Sequence, residues 1–146
     1  MTITGWSIVR FLHVLAAMGW VGGQLLLSVV VLPALLGSGL DPEVRVPLVR
    51  AAATRFAVAA NAVLLPTLLV TGLSLAAHRH LSWGILDDPG YGRLFAIKMV
   101  LVVTSVVIAA VHGILATTRP RSARPLAIAG LAASVGIVVF ATALVP

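Results

Sequence analysis

The chain has 146 residues and four histidines, and two of these, His13 and His112, fall inside long apolar runs, as does Lys98. A polar side chain at membrane depth costs free energy unless it is paired or faces a cavity, so each needs a partner. An imidazole in such a place can ligate a metal or hold haem iron. At 3.6 residues per turn His13, Ala17, Trp20 and Gln24 share one narrow helical face, and Thr67, Thr71, Ser74 and His78 repeat the spacing. Lys98, Ser105 and His112 recur every seven residues and share a third face. Three polar stripes are expected to look into one interior, with Gly130, Ser134 and Gly136 on a fourth helix that acts as a wall.

With an outer boundary near Trp6, His13 lies about seven residues, or ~10 Å, inside. Lys98 reaches a similar level, His78 closes its stripe on the same side with His80 just beyond, and Gln24 and His112 fall in the other half. Imidazoles facing one another across a four-helix bundle hold b-type haem without cysteine, and this chain has none. Haem b is therefore the first expectation, with His13 as axial ligand and His78 or Lys98 as the second. His112 serves a deeper site or the opposite ligand. Arg10, Arg79, Arg93 and Lys98 around the rim suit the propionates. Copper is the alternative, with His13, His78 and His80 as nitrogen ligands and Met18 or Met99 as thioethers. A third reading is a structural subunit of a larger membrane complex.

Each residue also has a plainer role. Lys98 and Arg10 can snorkel to headgroups, His78 and His80 can be interfacial, and His112 can cap helix carbonyls. The Thr/Ser stripe can be interhelical glue, or can repair the backbone near Pro66. An enzyme is the least supported class, because no nucleophile-and-base pair or paired carboxylate occurs within an apolar run.

The elements that must position these groups follow from composition. The chain is 60% hydrophobic and 10% charged, against ~25% charged in a globular domain. A soluble domain is excluded, and with it a nucleic-acid reading of the +6 net charge. Apolar runs at Phe11–Leu36, Phe56–Ala77, Leu94–Ala116 and Leu126–Pro146 are each long enough to cross a ~30 Å hydrocarbon layer. The expected fold is all-α: one four-helix transmembrane domain over 1–146, with spans about 8–36, 50–78, 93–117 and 125–145. Connectors are expected at Gly37–Pro47, His78–Gly92 and Thr117–Pro125. Arg45, Arg50, Arg55, Arg119, Arg121 and Arg124 outnumber the cations at the other end, which predicts both termini outside, with Trp6 and Trp83 at the outer interface. Pro66 should kink the second helix. Gly19 and Gly23 form a GxxxG spacing that can serve either the bundle or a homo-oligomer.

The segment Arg10-Phe-Leu-His13-Val-Leu-Ala-Ala-Met-Gly-Trp20-Val-Gly-Gly, running on to Leu32-Pro33, resembles the first helix of the copper resistance D family and of the HemJ-type protoporphyrinogen oxidases. Leu86-Asp-Asp-Pro-Gly-Tyr91-Gly-Arg93-Leu-Phe-Ala-Ile-Lys98 is similar to the start of the next-to-last helix of the copper resistance D domain. Thr71-Gly72-Leu73 and His112-Gly113 are similar to features of the HemJ-type proteins. The resemblance implies a four-helix protein of the bacterial inner membrane. In the HemJ-type branch it places the residues matched by His13 and Lys98 at a haem-associated site. In the copper branch it implies moving or handling copper, that is, copper binding or transport across the inner membrane. A redox partner or a periplasmic metal protein is the expected partner beside the bilayer.

Overall fold

The computed structural model of the chain describes residues 3–78, 84, 90–118 and 120–143. It is all-α, with four helices long and apolar enough to cross a membrane. Helix α1 is Gly5–Gly37 and α2 is Pro42–His78; α3 is Tyr91–Thr118 and α4 is Pro120–Ala143. The chain divides into two compact units, Met1–Leu81 with α1 and α2, and Ser82–Pro146 with α3 and α4. Arg79, His80, Trp83, Arg119 and the 86–89 part of the quoted motif lie outside the described residues, as do the side chains of Arg121 and Arg124.

Burial runs opposite to a soluble protein. Buried residues include three with hydroxyls, Thr71, Ser105 and Ser134, beside Ala16, Trp20 and Ala60. Large apolar side chains such as Leu15, Val29, Val70, Leu73, Val100 and Val139 are exposed. Water would reject that surface, whereas acyl chains accept it and would reject the hydroxyls.

Helix α1 starts at Thr4, whose extended backbone caps the helix while its N–H donates to Ser7 Oγ at 3.3 Å. Helix α2 begins at Pro42, fourteen residues before the apolar run at Phe56, so most of the expected Gly37–Pro47 connector is helical. The reason is local. Asp41 Oδ1 accepts the Glu43 N–H at 3.0 Å, Pro42 takes the first helical position, and Glu43 puts an acid in the first turn. Only a short turn is left, in which Gly39 adopts φ +69°. At 1.5 Å per residue the 37 residues of α2 reach ~55 Å, so the Arg45, Arg50 and Arg55 end outruns the hydrocarbon layer. In the same way α4 begins at Pro120, inside the expected third connector, and carries Pro125 within it.

The break expected at Pro66 takes a specific form. A π-helical turn spans Ala60–Leu64 and ends where the Leu65 N–H bonds back five residues to the Ala60 carbonyl. The same device, Leu26–Val31 closed by Leu32 N–H to Leu27 C=O, precedes Pro33 in α1. A proline ring collides with the carbonyl four residues back and offers no donor; a wider turn ahead of it relieves both problems.

In the first unit α1 and α2 run antiparallel, and the close approach that glycine allows is made between them. A Cβ on Gly19 would stand 3.1 Å from Leu64, and one on Gly23 would clash with the edge of the Phe56 ring. The glycine face that could have served a homo-oligomer is thus used inside the chain. In the second unit Gly130 faces Ile108 and Gly136 faces Leu101.

Candidate functional site

The first unit holds two polar rungs between its helices. In the inner one, His13 of α1 is half-buried and its Nδ1 lies 2.8 Å from Thr71 Oγ1 of α2. The Thr71 hydroxyl is itself 2.5 Å from the Thr67 carbonyl oxygen, one helical turn back, and Thr71 is only 7% exposed. Gly72 lies under the ring: a Cβ there would be 3.3 Å from His13 Cε1. In the outer rung the rings of Trp6 and His78 stack with centroids 3.8 Å apart and planes 14° from parallel. Trp6 precedes His13 by seven residues and Thr71 precedes His78 by seven, so the rungs are ~10 Å apart along the helices. A groove of about 330 Å³, lined by Leu12, Pro66, Thr67, Val70 and Thr71, opens beside the inner rung.

Of the expected site residues, the structure brings His13 against Thr71 and Gly72, and His78 against Trp6. Arg10, one turn outward from His13 on α1, is exposed. Ser74, expected in the second stripe, turns its hydroxyl onto its own helix, 2.8 Å from the Val70 carbonyl. Trp20, at the inner end of the His13 face, is buried. Met18 and Met99 are exposed.

In the second unit Lys98 and His112 are half-buried and Arg93 is exposed. Fourteen residues separate Lys98 from His112, ~21 Å along α3, so they occupy different levels. Ser105, midway between them, is 2% exposed, and its Oγ meets Ser134 Oγ of α4 at 3.0 Å. This corrects one expectation: the helix read as an inert wall supplies the partner of the third stripe. A buried hydroxyl needs a hydrogen bond, and Ser134, 0% exposed, provides it.

Two participants escaped the sequence reading: Gly72 had no assigned contact, and Trp6 was an interfacial anchor. Thr71, expected on an inward stripe as interhelical glue, makes an interhelical hydrogen bond. The signal was present: pairing the two stripes in opposite directions aligns Trp6 with His78 and His13 with Thr71 at one constant register.

Among the described residues no group of three or more His, Asp or Glu could hold a metal ion. Comparison of the chain with family models, with curated proteins and with solved structures finds no match.

Proposed function

We propose that this chain is a small haem b-binding protein of the bacterial cytoplasmic membrane, serving electron transfer or haem handling, whose iron His13 would hold. The observation that carries the reading is an imidazole set in an apolar helix and gripped at Nδ1 by a buried hydroxyl. Histidines that bind iron or other metals use one ring nitrogen for the metal and the other for an oriented partner, and His13 has that partner in Thr71. Gly72 lets the ring pack closely against α2. Arg10 is a cation one turn nearer the outer end, suited to a propionate. His78 is proposed to hold the group from the same unit, with Arg79 joining Arg10 at the propionates; in the second unit Lys98, Arg93 and His112 are the proposed cofactor-binding residues.

Bound haem would supply one-electron chemistry; the chain's part is ligation, orientation and a low-dielectric surround. The placement with both termini outside is supported by Arg45, Arg50 and Arg55, which cluster at the end of α2 remote from the Trp6–His78 stack.

The test is the visible spectrum of the protein purified after expression with haem supply. A Soret band lost in His13→Ala, and kept but altered in shape in His78→Ala, is the expected result. Well-folded protein with no Soret band overturns the reading, and copper bound one per chain without porphyrin would replace it.

A further inference from the structure

The chemistry that His13 offers depends on which member of the inner rung supplies the proton. Thr71 Oγ1 is 2.8 Å from His13 Nδ1 and 2.5 Å from the Thr67 carbonyl oxygen. A carbonyl carries no hydrogen, so two oxygens this close attract only if the hydroxyl proton lies between them. This is the usual back-bond of a threonine to the carbonyl four residues earlier in its helix. The hydroxyl has a single proton and has spent it on Thr67. Towards His13 it can only accept, and the hydrogen of that bond must come from Nδ1.

We infer that Thr71 is a positioning residue that holds His13 as the Nδ1–H tautomer, leaving Nε2 as the lone-pair nitrogen, with Gly72 giving the ring its clearance. An imidazole in water interconverts between two tautomers; here the other one would set the Nδ1 lone pair against a hydroxyl oxygen 2.8 Å away whose proton is on Thr67. The ring is held on two sides. The hydroxyl fixes its direction, and the absent side chain of residue 72 lets Cε1 sit where a Cβ would stand at 3.3 Å. Nε2 is the atom that a neutral histidine with this partner presents to a metal or to a proton donor. The tautomer stands without haem, whereas its consequence for an iron ligand rests on the haem reading.

The experiment uses the full chain in lipid nanodiscs with 15N-labelled histidine, at a pH where the ring is neutral. Long-range proton–nitrogen correlations report which ring nitrogen is protonated, and His13→Gln identifies the His13 signals by their loss. The expected result is a protonated Nδ1 and a bare Nε2. In Thr71→Val, which keeps the shape and removes the hydroxyl, the tautomer ratio shifts about tenfold toward Nε2–H, the weight of one hydrogen bond. Thr71→Ser restores the wild-type pattern. Should Thr71→Val fold poorly, Gly72→Ala, which pushes on the ring with the hydroxyl intact, moves the ratio in the same direction.

A wild-type His13 carrying its proton on Nε2, or a ratio unchanged in both Thr71→Val and Gly72→Ala, overturns the inference. Haem titration of the same samples separates the two claims. Outer-shell partners of metal-bound histidines are worth about 10- to 100-fold in affinity, so Thr71→Val should weaken haem binding by that factor and Thr71→Ser should not. An Nδ1–H tautomer in a chain that binds no haem ends the haem reading and leaves the role of Thr71 in place. Haem bound equally well by wild type and Thr71→Val ends the positioning role.

Discussion

In the first helix pair a buried threonine hydroxyl of α2 meets an imidazole of α1; in the second a buried serine hydroxyl of α3 meets another serine of α4. Both are polar contacts where the surroundings are apolar, and both sit near glycines that let the helices approach. The second contact joins two hydroxyls, groups that serve as hydrogen-bonding glue between helices. The first contains a ring with a second nitrogen, a clearance glycine beneath it and a proline-linked π turn a few residues away. Interhelical polar contacts in membranes are worth about 0.6 kcal/mol on average and up to ~1.7. Two serines would supply that much, so stability alone does not call for a histidine in the first pair.

The comparison can be broken at its packing first. Gly23→Ala puts a methyl against the edge of the Phe56 ring and should cost about 1–3 kcal/mol, whereas Gly136→Ala in the second pair meets Leu101 at an ordinary 3.4 Å and should be tolerated. Unfolding in graded detergent mixtures measures both, and equal losses would show that close approach does not distinguish the pairs. Ser105→Ala removes the Ser105–Ser134 hydrogen bond and should cost about 0.6–1.7 kcal/mol by the same assay. The double variant with Ser134→Ala should lose less than the sum of the single variants, since both remove the same bond. Smallest is Trp6→Ala, which removes the outer stack on an exposed His78 and should cost about 0.5–1 kcal/mol. A larger loss there would make the outer rung, not the inner, the main tie of the first pair.

Much of this was legible in the chain because the bilayer imposes simple rules. Four apolar runs became four helices, since uncharged stretches of that length have no other way to satisfy their backbone in oil. Helix ends were less legible: the hydropathy of Phe56 onward hid a start that Asp41-Pro42-Glu43 spells out in capping chemistry. The polar stripes named His13, Thr71 and Ser105 correctly as inward groups, because periodicity reports which side of a helix a residue occupies. It does not report which neighbouring helix that side meets. Ser105 therefore found Ser134 on the helix that had been read as a wall, and the interhelical partner of Thr71 turned out to be an imidazole. Glycine contacts were illegible for a related reason, because the partner of an absent side chain leaves no pattern in the glycine's own helix.

The central claim is that the polar contact of the first pair exists for a ligand and that of the second for packing. Haem content per chain in wild type, His13→Ala and Ser105→Ala, each checked for native helicity, tests it most directly. The account predicts stoichiometric haem in wild type and Ser105→Ala and almost none in His13→Ala; haem retained without the imidazole, or lost equally from both variants, would contradict it.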